Sequence, residues 1–428
     1  MRVWVDAMIH VCDAIMGSGK SQSAITYMNE HPDEKFVYIT PYIEEAERIQ
    51  ESCPRANFIT PSAKLREYGY SKVEHTKWLL AEGKNVATTH AAFRLYTEDM
   101  IKNIVRWDYT LIVDEAVNVL CELEESAGDV DVLERAGFIT NRGDGVYTYN
   151  GGEYAGGRLD ELFQMLKRNN ILRLSADGST WGSNDTLFFW ELHPDVLRAF
   201  RNAYILTYLF YGQDIKYYLE MNGIDYDFVG IRKDGDVYRF SDTMEYYPSY
   251  IQRLDQMIHI FENQKLNEIG VGRFKLSSSW FENANEDDLK KLKNNLYNYF
   301  HNYNGDVPSD ELMWTTFKNY AGKLRGRGFA NQVTACNLRA FNTLRDKRVL
   351  AYCANIFVNP YKRRYLCRSG GEYDDDSYAL SMMVQWIWRS AIRDGKEISI
   401  YIPSERMRLL LKKWIADTME SYPGSDRS

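Results

Sequence analysis

The chain has 428 residues, of which 45% are hydrophobic and 26% charged, with a formal net charge of −8. These are the values of a globular protein of two or three domains with ample core. The acidic balance argues against a simple basic nucleic-acid binder. No apolar run approaches about 18 residues, and no basic stretch followed by an apolar one opens the chain. A transmembrane helix, a signal peptide and a membrane partner are therefore not expected, and a cytoplasmic location is. Six Cys at 12, 53, 121, 336, 353 and 367 form no C-x-x-C pair. They read as reduced thiols, neither a zinc site nor a disulfide framework.

In chain order, the first motif is Ala14-Ile-Met-Gly17-Ser18-Gly19-Lys20-Ser21. The apolar run Met8–Cys12 precedes it, and Gln22–Asn29 can be helical. This is a phosphate-binding loop. Gly17, Ser18 and Gly19 bring backbone N–H groups to the phosphates, and the following helix points its positive end at them. Lys20 reaches the β/γ-phosphates and the Ser21 hydroxyl binds Mg²⁺. The loop departs from the full G-x-x-x-x-G-K-[ST] pattern at Ala14. Apolar runs at 36–40, 86–89, 110–113 and 204–208 read as buried parallel strands. Helical stretches such as Glu44–Cys53 and His75–Glu82 lie among them, which is the rhythm of a doubly wound sheet. The run at 110–113 ends in Asp114-Glu115. Asp114 stands where the second Mg²⁺ contact belongs, and Glu115 where a base polarises the attacking water. ATP and Mg²⁺ are the expected ligands.

About 90 residues separate this acidic pair from Ile205, more than a minimal nucleotide-binding core needs. They include the Gly-rich stretch Asn141–Arg158, which reads as a β-hairpin, and the helix candidate Leu159–Asn169. This insertion, about 121–200, is either a strand guide or a surface decoration. A break near Gly230–Asp242 reads as the linker, giving domains 1–232 and 233–428. In the second, Arg273–Ser277, Leu312–Phe317, Gln332–Cys336 and Ile398–Ile402 are strand candidates. Asp287–Phe300 and Ala379–Arg393 are helix candidates. Trp314–Phe317 and Ser277–Trp280 could begin strands that turn toward a nucleic acid, or pack as ordinary strand ends.

Charge is distributed unevenly. Thr315–Gly370 holds twelve Lys and Arg, among them Arg325, Arg327, Arg339, Arg363 and Arg364, against one acid, Asp346. Phe317, Tyr320, Phe329, Phe341, Tyr352, Tyr361 and Tyr365 are interleaved. Cations for phosphates and flat rings for bases are what a single-strand groove requires. A solvated basic face over core aromatics would look similar. On a helix, Gln385, Arg389 and Arg393 share one stripe at i, i+4 spacing. Arginine suits phosphate contact because its charge is permanent and its fork matches phosphate oxygens.

The loop at 14–21 with the Asp114-Glu115-Ala116 strand end resembles motifs I and II of superfamily 2 (DEAD/DEAH-like) helicases. Tyr38-Ile-Thr-Pro41 stands in the place of motif Ia, and Val86-Ala-Thr-Thr-His90 is similar to motif Ib. Ile205-Leu-Thr-Tyr208 stands where the family has Ser-Ala-Thr or Leu-Thr-Ala. Asn337–Asn342, with Arg339 and Asn342, stands in the place of motif V. Gln385–Arg393 resembles motif VI, with Trp388 in place of Gly and the second Arg one residue late. The resemblance covers most of the chain and is closest to helicase-like replication proteins of bacteriophages. It implies two RecA-like doubly wound parallel-sheet domains of the P-loop NTPase class, the first carrying the β-hairpin and helix insertion. It also implies an arginine finger at Arg389 and Arg393, with Gln385 toward the nucleotide. The implied function is an ATP-dependent helicase or translocase on single-stranded or forked DNA in phage replication or recombination, with other replication proteins as possible partners. Two readings stand beside it. One is a DNA-binding ATPase switch that marks an origin or loads a helicase without unwinding. The other is a small-molecule P-loop kinase, against which the Asp114-Glu115 strand and the two-domain length argue.

Overall fold

The computed structural model describes residues 8–123, 127–143, 145–152, 162–163, 166, 170–175, 186–305, 307–336 and 344–422. It divides into two compact units. The first comprises Met1–Ile15, Gly19–Tyr246 and Asn359–Tyr373, the second Met16–Ser18, Tyr247–Val358 and Asp374–Ser428.

The first unit begins with β1 (Met8–Asp13), β2 (Phe36–Thr40), β3 (Val86–Thr89) and β4 (Thr110–Asp114). An insertion follows, with β5 (Leu120–Glu122), β6 (Ile139–Asn141), β7 (Val146–Tyr149), β8 (Asn170–Ser175) and β9 (Thr186–Glu191). The main sheet then resumes with β10 (Asn202–Thr207) and β11 (Tyr226–Phe228). Its order is β11-β1-β10-β4-β2-β3 and every pair is parallel. All five residues of β2 are buried. Such continuous apolar runs arise where helices cover both faces of a parallel sheet. In register, Asp114 lies opposite Leu206 and Val113 opposite Ile39. The C-terminal ends of β1 and β4 therefore open on the same edge, where ligands of open α/β sheets bind.

The insertion is larger than the expected hairpin and helix. β6 and β7 form the hairpin, closed where Asn141 Oδ1 accepts from the Gly143 N–H at 2.8 Å. They belong to a five-stranded antiparallel sheet of order β5-β9-β8-β7-β6, with the helix Ala127–Arg135 between β5 and β6 in the chain. Residues 153–158 of the Gly-rich stretch and most of Leu159–Asn169 lie outside the described residues.

The stretch read as a linker is itself structured. β12 (Gly230–Asp234) and β13 (Val237–Ser241) pair antiparallel across the two-residue turn Gly235-Asp236, with Gly235 at φ 61°. A Gly-Asp pair between two strand-length runs is a two-residue hairpin signal. Arg239 of β13 reaches Glu30, at the end of the first helix, at 2.7 Å.

The second unit holds β14 (Ile258–Phe261), β15 (Leu312–Thr315), β16 (Val333–Thr334), β17 (Val349–Tyr352) and β18 (Ile398–Tyr401). The sheet order is β14-β18-β17-β15-β16, again parallel throughout. Three of the four strand candidates match β15, β16 and β18. Arg273–Ser277 does not: Leu276 turns at φ 63°, and Ser277 caps the helix Ser278–Asn283, its Oγ accepting from the Trp280 N–H at 3.2 Å. Among the described residues, no helix is long and apolar enough to cross a membrane.

Candidate nucleotide-binding site

The helix Lys20–Glu30 starts directly from the loop after β1, with Gly19 as its N-cap at φ 88°. A Cβ on Gly19 would lie 2.2 Å from the Tyr238 ring of β13. Both the left-handed backbone and this close approach require glycine. Lys20 Nζ donates to the carbonyls of Ala14 and, at 3.2 Å, Ile15. Phosphate oxygens accept more strongly than neutral carbonyls, so a triphosphate would draw the ammonium away from them.

Asp114 gathers the other groups. Ser21 Oγ lies 3.1 and 3.0 Å from its two carboxylate oxygens, and the Tyr38 hydroxyl donates to Oδ2 at 2.8 Å. His90 Nε2 lies 3.1 Å from the Asp114 carbonyl oxygen. Burial pushes the Asp114 carboxyl up, while the Tyr38 and Ser21 hydroxyls hold it down. Burial likewise pulls the Lys20 ammonium down, and the nearby Cys12, Asp114, Asp13 and Glu115 oppose this. A serine hydroxyl beside a carboxylate is a pair of hard oxygen donors, which suits Mg²⁺. Among the described residues, no group of three His, Cys, Asp or Glu could hold a metal alone. Ser18 Oγ in the loop is buried with no hydrogen-bond partner among the described residues, a polar atom that an incoming phosphate would satisfy.

Glu115 follows at φ 63° with its N–H donating to Leu206 O at 3.0 Å. A left-handed non-glycine residue costs about 1–3 kcal/mol and persists only where its surroundings impose it, often at functional sites. The sequence places Tyr38 and His90 in the segments similar to motifs Ia and Ib, but gives no sign that both meet Asp114. Tyr38→Phe is expected to remove a bond to the charged form of Asp114 and raise its pKa further. The acid limb of the kcat/KM profile for ATP should then move to higher pH, and a pH series on both proteins checks this.

The remaining expected residues are distributed differently. The helix predicted at Ala379–Arg393 is Asp375–Ile387. It stops because Trp388 caps it and Ser390 is extended, with Ser390 Oγ donating to Ile387 O at 2.6 Å. Arg393 lies in the separate 3-10 turn Ala391–Asp394, so Gln385, Arg389 and Arg393 do not form one helical stripe. Arg389 is buried and Arg393 exposed.

The basic run Thr315–Gly370 also divides. Arg325 and Arg327 are exposed in the second unit. Arg339 and Asn342, with all of Asn337–Asn342, lie outside the described residues. Arg363 and Arg364 sit on the helix Pro360–Leu366, which belongs to the first unit. Lys362 anchors that helix to Asp214 at 2.7 Å, and the Tyr365 hydroxyl donates to the buried Glu191 at 2.9 Å. Lys362 is thus committed to packing, whereas Arg364 is exposed.

Comparison with known proteins bears on the whole chain. A family model described as the YonV C-terminal Rossmann-like domain matches residues 252–415. The SPbeta prophage-derived uncharacterized protein YonV of Bacillus subtilis (strain 168) is 37% identical over 417 residues, 95% of this chain and 98% of that protein. The solved structure XPD_Helicase aligns over 97% of this chain and 95% of its own at a TM-score of 0.50 and 9% identity. XPD_APO aligns over the same shares at 0.47 and 11%. At 9% identity the likeness is one of fold: two RecA-like parallel-sheet domains.

Proposed function

Because the chain belongs to the YonV family and has a helicase-type fold, we propose that it is an ATP-dependent nucleic-acid helicase or translocase, acting on DNA in phage replication or recombination. The prophage origin of the B. subtilis relative supports the phage setting. The observation that carries the reading is the Ser21–Asp114 pair beside Lys20, at the edge where β1 and β4 end.

In this reading Gly17, Ser18 and Gly19 cradle the phosphates through backbone N–H groups, and Lys20 neutralises the β/γ oxygens. Ser21 and Asp114 hold Mg²⁺, which supplies charge neutralisation when bound. Glu115 orients the attacking water. From the second unit, Gln385 contacts the nucleotide and Arg389 and Arg393 offset charge that builds in the transition state. Arg325, Arg327, Arg339, Arg363 and Arg364 bind the strand's phosphates.

The test is the ATPase rate alone and with single-stranded DNA, duplex DNA or RNA, followed by strand displacement on a forked duplex. Stimulation by single-stranded DNA and ATP-dependent displacement are expected. Stimulation without displacement would identify a DNA-binding ATPase switch. Indifference to every nucleic acid would remove the motor reading and favour a small-molecule kinase.

A further inference from the structure

In the second unit, the loop between the helical turns after β14 and the helix Ser278–Asn283 buries Leu276 but leaves two other large side chains in water. Phe274 is 61% exposed and Val271 55%. With Trp280 they line a shallow hollow of about 410 Å³, completed by Gly272, Arg273, Lys275, Ser279 and Asn283. No carboxylate is among these lining residues, although Glu405 accepts from the Gly272 N–H at 3.0 Å, and Arg273 and Lys275 flank the rings. Lys275 Nζ lies 6.0 Å from the Trp280 ring centroid, and the Arg273 guanidinium carbon 5.5 Å from that of Phe274.

The loop is held in this shape from below. Asn355 is fully buried, and its Nδ2 donates to the carbonyls of Arg273 at 2.8 Å and Lys275 at 2.9 Å. Its own N–H donates to Leu276 O at 2.8 Å. Its Oδ1 accepts from Arg406 Nη1 at 2.9 Å, and the Arg406 guanidinium lies 4.2 Å over the Phe357 ring. Phe357 in turn packs against Phe274, with ring centroids 5.6 Å apart. Leu276 is fixed at φ 63°, a strain that such bonding can impose. One buried asparagine, through its side-chain amide and its own N–H, thus sets three backbone carbonyls of a loop that keeps an aromatic ring in water. Folding stability alone would favour burying that ring.

We propose that this hollow is a stacking site for an unpaired base of single-stranded nucleic acid, with Arg273 and Lys275 on the adjoining phosphates. The proposal rests on the reading of this chain as a nucleic-acid-dependent ATPase. A base offers a flat apolar face to Phe274 and Trp280, while its backbone supplies the negative charge that two cations without a lining acid can use. An apolar protein segment would fill the hollow but leave those cations unmatched.

The test uses the full chain, a labelled oligothymidylate, and an abasic oligomer of equal length and charge. Wild type should bind the oligothymidylate about tenfold or more tighter than the abasic strand. Phe274→Ala should lose most of that preference while keeping its affinity for the abasic strand, and Phe274→Tyr should retain it. Phe274 is exposed, so an unchanged unfolding midpoint will show that the variant folds. Wild-type preference undiminished in Phe274→Ala overturns the site while leaving the motor reading intact, and makes the hollow a surface for a protein partner. A wild type that binds neither strand and shows no stimulated ATPase overturns the motor reading, and the stacking site with it.

Discussion

Lys20→Ala and Glu115→Gln are each expected to abolish ATP hydrolysis, with only the first weakening ATP binding. Lys20 is the one side-chain cation of the phosphate loop, and its ammonium is already confined among the carbonyls of Ala14 and Ile15. Removing it takes away the loop's side-chain charge and leaves Mg²⁺ alone to offset the β/γ-phosphates, so ground state and transition state both suffer. Glu115→Gln keeps size and hydrogen-bonding capacity but removes the charge that polarises water. Turnover should fall by about 10²–10³-fold with the dissociation constant for ATP nearly unchanged. Binding of a fluorescent ATP analogue alongside steady-state phosphate release separates the two effects. Equal loss of binding in both variants, or near-normal turnover in either, contradicts the roles.

Arg389→Ala is expected to lower turnover by about 10²-fold or more with little change in ATP affinity. A guanidinium that meets charge developing on the transferred phosphoryl group acts in the transition state, so its loss appears in kcat. Arg389 is buried in the turn after the helix Asp375–Ile387, a more constrained position than a surface stripe allows. Arg393→Ala is the informative companion, because Arg393 is exposed in its own 3-10 turn and the two positions are no longer equivalent. If Arg389→Ala turns over normally and Arg393→Ala does not, the finger belongs to Arg393. If both are normal, neither is the finger.

The parts legible in the sequence were those written in neighbouring residues. The runs at 36–40, 86–89, 110–113 and 204–208 became β2, β3, β4 and β10 almost residue for residue. An apolar stretch of strand length between polar segments has few ways to satisfy its backbone other than a buried parallel sheet. The Arg-Lys-Asp-Gly-Asp segment was taken as a break, whereas its Gly235-Asp236 is the two-residue turn of the β12–β13 hairpin. The helix predicted through Arg393 failed at Ser390, whose hydroxyl bonds back to a helix carbonyl. A periodic pattern does not register that competition.

The sequence by itself determined the class of fold, and it carries the proposed nucleotide site in two short segments, Gly17–Ser21 and Asp114-Glu115, each of which has its meaning within a few residues. Only the tertiary structure decided what surrounds Asp114, where Tyr38 arrives from 76 residues away along the chain. The same holds for the return of the helix Pro360–Leu366 to the first unit, where Lys362 meets Asp214 across 148 residues. Asn355 likewise meets the carbonyls of Arg273 and Lys275 from 82 and 80 residues off. Each of these is a bond made by a side chain to a group that local pattern does not contain. Such bonds exist only after the sheets have closed and water has been removed from both partners.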